Sequence, residues 1–186
     1  ADVLLQAYLK WGDALLERIR GFFAWVVWDP RTRTLTCARD HLGLHPLFWA
    51  RSGTRWLFST SPLALAGHPA IRSGPSRIAL AEYLCHRWPP CDETFLDRVS
   101  RLPPGHLLRV RAGGHLTERY WDPVPAEDAV PWLTASELPK FEAALEKAVR
   151  RTLGSGRTGV FLSGGIDSVT VAALAVQIGH QEGRAS

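Results

Sequence analysis

A proline-rich interval at residues 122–135, holding Pro123, Pro125 and Pro131, separates two stretches whose apolar residues follow different rhythms. Before it, short apolar runs alternate with turn residues, the pattern of successive hairpins. After it, apolar residues recur every three to four positions around one short apolar run, the pattern of an α/β unit. No single layer arrangement serves both patterns, and a boundary at the interval is predicted, dividing the chain into 1–125 and 126–186.

In the first part, Leu4, Tyr8, Trp11 and Leu15 predict an amphipathic helical region over 2–19, broken at Gly12-Asp13. Phe22 to Trp28 is a continuous aromatic and β-branched run, expected as a strand buried on both faces. Asp29-Pro30-Arg31-Thr32 is turn chemistry and Thr34 to Ala38 the return strand. A second hairpin is expected over Pro46–Ala50 and Arg55–Ser59, a short helix over Ser76–His86, and a third hairpin over His106–Val110 and Leu116–Trp121. Prolines at 89, 90, 103 and 104 make the stretch between mostly loop.

In the second part, Leu138, Phe141, Leu145, Ala148, Val149 and Thr152 form one helical stripe, with Ser136 as the expected cap and Gly154 as the stop. Thr158 to Leu162 is expected as a strand, leading through Ser163-Gly164-Gly165-Ile166-Asp167-Ser168 into a helix over about 168–178. Strand, glycine loop, helix is an anion-binding arrangement. Glycines let the backbone approach phosphate oxygens, and the first N–H groups of the helix have no intrahelical acceptor and point at the ligand. Ser163 and Ser168 add hydroxyl donors, and Asp167, being negative, is expected to act through a magnesium ion bridging to the phosphates. A Gly-Gly pair alone often serves only a tight turn, whereas two serines and an aspartate at these offsets favour phosphate binding. No lysine follows the glycines, so this is not the Walker A loop.

Composition removes several alternatives. The net charge of +4 comes from scattered arginines without a block of five like charges, which argues against nucleic-acid binding. No run of about 18 apolar residues is present, so no helical membrane span is expected, and the start has no leader character. Methionine is absent, suggesting a trimmed start or a piece of a longer chain. Cys37, Cys85 and Cys91 form neither a metal pair nor a disulfide framework, as expected in a reducing cytoplasm. Arg39-Asp40-His41 is read as a structural turn, and most of the eight tryptophans as core.

Phe161-Leu162-Ser163-Gly164-Gly165-Ile166-Asp167-Ser168 resembles the pyrophosphate loop of ATP-pyrophosphatase enzymes, in the form used by glutamine-dependent asparagine synthetases. Arg20-Gly21-Phe22-Phe23-Ala24-Trp25, Trp28-Asp29 and Ala38-Arg39-Asp40-His41-Leu42-Gly43-Leu44-His45-Pro46-Leu47-Phe48 resemble the second half of that family's glutaminase domain. Leu102-Pro103-Pro104-Gly105-His106 and Arg119-Tyr120-Trp121 match its closing hairpin. The resemblance implies a fold of class α+β then α/β: part of an N-terminal-nucleophile glutaminase sandwich over 1–125, then the first βα unit of an adenine nucleotide α-hydrolase-like (PP-loop) synthetase domain over 126–186. It implies glutamine, aspartate and ATP as substrates, ATP and Mg2+ as cofactors, cytoplasmic location and room for a homodimer, with no nucleic-acid or membrane partner. By position, Ser163, Gly164, Gly165 and Ser168 would hold pyrophosphate, Asp167 the magnesium, and Phe161 the nucleotide through its backbone.

Several features depart from the family pattern. The N-terminal cysteine nucleophile is not among these residues, so no catalytic residue is assigned, and Val169 stands where a second serine is common. Asparagine synthesis is the leading expectation. Related adenylating cyclases, of the β-lactam synthetase or lasso-peptide cyclase type, and an inactive truncated remnant stay open beside it. A tRNA-modifying pyrophosphatase would not explain the Arg20–Phe48 half.

Overall fold

The chain was described by a computed structural model covering residues 2–124, 133–154 and 158–183. It divides into two compact units, 1–125 and 126–186. Of the proline-rich interval, residues 125–132 lie outside the described set.

The first unit opens with helix α1 (Asp2–Trp11), a 3-10 turn (Gly12–Ala14) and the single turn α2 (Leu15–Arg18), with Gly12 at φ 56 making the break. Four antiparallel strands follow in the order β1-β2-β6-β7: β1 (Ala24–Asp29), β2 (Thr34–Arg39), β6 (His106–Arg111) and β7 (Gly114–Arg119). A second sheet has the order β4-β3-β5, from β3 (Phe48–Ser52), β4 (Arg55–Ser59) and the two-residue β5 (Ser100–Arg101). Short helices α3 (Pro62–Ala66) and α4 (Arg77–Leu84) lie between β4 and β5 in the chain, and the Ser76 hydroxyl caps α4 by accepting from Ala79 N.

Strand alternation sorts the apolar residues into three layers of core. Trp25, Ala38 and Leu107 stand abreast in the ladder and pack with Leu4, Tyr8, Leu16 and Ile19 of the opening helices. The next residues along, Cys37 and Leu108, face the other way and meet Trp49, Trp56 and Phe58 of the second sheet and Leu47 just before it. The far side of that sheet presents Phe48, Ala50 and Leu57 to Leu65, Ile71 and Val99. The unit is thus layered helix, sheet, sheet, helix.

The expectation that the 22–28 run is buried on both faces is corrected. β1 is an edge strand, and Val26 and Trp28 are 40% and 56% exposed, because the three-stranded sheet does not reach over them. Trp28 is therefore not a core residue, while Trp25 is buried and Trp49 and Trp56 meet His115 edge-on in the sheet interface.

In the second unit α5 (Leu138–Thr152) and α6 (Ile166–Gln181) are described. The cap of α5 is not Ser136. Glu137 holds the cap position, and its carboxylate accepts from Thr134 N and Oγ1 at 3.1 and 2.9 Å, fixing the entry turn. Residues 158–165 form no strand, which corrects the expectation for Thr158–Leu162: a strand requires a ladder partner, and among the described residues of this unit none is present.

Candidate functional site

The glycine loop keeps the architecture expected of it at its helical end. Gly164 sits at φ 84, a conformation that favours glycine, and a Cβ added there would meet nothing within 4 Å. Gly165 is extended and occupies the N-cap of α6, so the helix begins at Ile166, two residues earlier than expected. Asp167 and Ser168 therefore lie in the first helical turn, beside the N–H groups of Ile166, Asp167 and Ser168 that have no intrahelical acceptor.

Serine hydrogen bonds join the loop to that turn. The Ser168 hydroxyl donates to Gly165 O at 2.9 Å and accepts from Ser163 N at 3.3 Å. Ser163 Oγ lies 3.2 Å from Ser168 Oγ and accepts from Gly165 N at 3.5 Å. The structure thus brings Ser163, Gly164, Gly165, Asp167 and Ser168 together at one helix end. The loop is open to solvent, and Phe161 is fully exposed on the segment leading in, with Leu162 64% and Ile166 81% exposed.

A negative side chain in the first turn is stabilised by the helix dipole by about 0.3–1 kcal/mol, and the same field attracts phosphate. Among the described residues no group of three or more His, Cys, Asp or Glu converges on a metal-sized space, so Asp167 alone offers one carboxylate. No described helix is long and apolar enough to cross a membrane.

Arg39-Asp40-His41 in the first unit is a joint, as the turn reading expected, and its detail was not legible in the sequence. The buried Arg39 guanidinium donates to three main-chain carbonyls, those of Gly43, His45 and Leu102. The Asp40 carboxylate, 1% exposed, accepts from Leu44 N and His45 N at 2.9 and 2.8 Å. Asp40 O accepts from both Gly43 N and Gly105 N, and Gly105 O from Tyr120 N and Trp121 N. With the Arg39 and Asp40 side-chain hydrogen bonds among the described residues all made to backbone, neither is placed for chemistry.

Comparison with known sequences identifies the class. Residues 1–121 match the glutamine amidotransferase domain family, and residues 140–185 match asparagine synthase. The chain belongs to the glutamine amidotransferase domain family. Among its relatives are proteins named as glutamine-hydrolysing asparagine synthetases. It is 31% identical to asparagine synthetase 3 of Bacillus subtilis, over 99% of this chain and 30% of the relative. It is 34% identical to a Mycobacterium tuberculosis protein provisionally named a glutamine-hydrolysing asparagine synthetase, over 95% of this chain and 28% of the relative. It is 27% identical to the maize asparagine synthetase, over 94% of this chain and 25% of the relative. The chain thus spans under a third of the length of these relatives.

Proposed function

We propose that this chain is part of a glutamine-hydrolysing asparagine synthetase: ATP adenylates the aspartate carboxylate, and ammonia from glutamine displaces AMP. The observation that carries the reading is the order of the two matches on one chain, amidotransferase then synthase, with Ser163–Ser168 inside the second. In this reading the first unit, with its domain limit at residue 125, is part of an N-terminal-nucleophile sandwich. The second, from residue 126, opens a PP-loop domain. The helix-sheet-sheet-helix layering supports the former, and a glycine loop at the N-terminus of α6 the latter.

The loop fits a pyrophosphate group. The space over Gly164 is free, the first N–H groups of α6 are aimed outward, and Ser163 and Ser168 can exchange their mutual contact for phosphate oxygens. Phe161 would line the nucleotide through its backbone. Asp167 would hold magnesium jointly with those oxygens, and the ion would neutralise charge on the leaving pyrophosphate. We place the protein in the cytoplasm, where these substrates are made.

The full-length protein encoded by the gene is expected to release pyrophosphate from ATP when given aspartate and glutamine, and Asp167→Ala to reduce that release to background. Pyrophosphate release only with a different carboxylate, such as one that cyclises internally, would overturn the assignment to asparagine synthesis. Full activity in Asp167→Ala would overturn the role given to the loop.

A further inference from the structure

Tyr120 and Trp121 follow β7 and carry the chain out of the first unit. Their N–H groups donate to Gly105 O at 2.9 and 3.3 Å, and the Tyr120 hydroxyl donates to Arg39 O at 2.6 Å. The half-buried ring of His41 lies between this exit and the segment that enters β1. Its centroid is 5.4 Å from Tyr120, 5.3 Å from Trp121 and 6.2 Å from Phe23, and all three contacts are edge-on, at 82°, 81° and 90°. Three aromatic rings therefore enclose one imidazole, the side chain whose charge ordinarily changes nearest neutral pH.

We propose that His41 is a proton-operated latch on the exit of the first unit: the neutral ring holds Tyr120 and Trp121 in place, and protonation releases them. The aromatic rings remove water from the imidazole and supply no counter-charge. The charged groups facing it are few. Arg20, whose guanidinium donates to Glu17 O and Ile19 O, opposes a second positive charge. Asp40 favours one, but both its oxygens already accept from Leu44 and His45 N–H groups. Tyr120 stays neutral, because burial and Asp40 push its hydroxyl well above the usual tyrosine range. Lost hydration first, and Arg20 second, hold His41 below the ordinary histidine value.

The sign follows from that direction. A histidine whose folded value is lowered contributes stability that is fully present above its unfolded value, about 6.5. The contribution is lost as pH falls from there through the folded value. The exit should therefore hold at neutral pH and loosen in mild acid, before the core itself unfolds.

Hydrogen exchange of the full-length protein, read by mass spectrometry across a pH series, tests this. Exchange at the His41 ring carbon reports its protonation, and exchange in the peptide over 118–124, corrected for intrinsic rates, reports the latch. The expected result is a His41 midpoint below about 6.5, with protection of Tyr120 and Trp121 falling severalfold over the same range. In His41→Phe, protection should persist through that range. Arg20→Gln, an exposed change that leaves the aromatic cluster intact, should move both midpoints upward together. A His41 midpoint above the ordinary value overturns the proposal. So does loss of protection at the same pH in His41→Phe, or a shift of the ring midpoint in Arg20→Gln that leaves the peptide unchanged.

Discussion

The two units differ in what covers their apolar residues. In the first, strand alternation buries Leu108, Ala38 and Ala50 completely, and the loop residues Leu102 and Ile71 are equally buried against the sheets, in three clusters that share two sheets. In the second, Val149 and Ile178 are the buried apolar residues among those described, while Phe161, Leu162, Ile166 and Val176 face solvent. Its α5 is amphipathic and is tied to the end of α6 by the Arg150–Glu182 ion pair, while Arg150–Glu146 lies within α5, and exposed pairs of this kind contribute about 0–1 kcal/mol each. Local sequence can therefore specify a helix and a capped loop without a core, whereas a strand exists only where a neighbour pairs with it.

This contrast can be broken by mutation. Leu108→Ala in the first unit should lower stability by about 2–5 kcal/mol through the cavity it leaves. Leu162→Ala in the second, at an exposed site, should stay within about 0.5 kcal/mol. Urea unfolding of the two variants measures both, and equal losses would show that Leu162 is covered. The glycines sharpen the point. Gly105→Ala combines a φ of 65 with a Cβ 2.7 Å from Trp121 O and should cost about 1–3 kcal/mol, whereas Gly164→Ala, with open space at φ 84, carries only the backbone part. The opposite sign is expected at Arg33, which turns the β1–β2 hairpin at φ 50: Arg33→Gly should raise the thermal midpoint, gaining up to about 1 kcal/mol. All four non-glycine residues at positive φ among those described lie in the first unit.

Much of this was legible in the sequence because it is local. Turn residues at Asp29–Thr32 and Gly53–Thr54 mark hairpins by their own chemistry, Gly12-Asp13 marks a helix break, and the glycine loop declares a helix N-terminus. What was not legible depends on distant neighbours. The apolar run Phe22–Trp28 reads as a central strand by composition, and only the reach of the second sheet leaves Trp28 outside. Thr158–Leu162 reads as a strand for the same reason and has no ladder partner among the described residues. The contacts of Arg39 and Asp40 could not be read either, since a guanidinium bound to carbonyls 4, 6 and 63 residues away leaves no spacing pattern.

The relay through Asp40 O, Gly105 and Tyr120 is made of main chain, and it bears on which lengths the β6–β7 hairpin can have. Gly105 N and O are engaged at one end of the hairpin and Tyr120 N returns to the same residue at the other, with His106 paired to Arg119 between them. A single residue inserted in either strand would turn every later side chain to the opposite face and take the Tyr120 hydroxyl away from Arg39 O. Growth must therefore go to the tip, around Ala112-Gly113, where the chain is exposed beyond the last ladder pair, Arg111 with Gly114. The hairpin is free to lengthen only at the end farthest from the joint that fixes it.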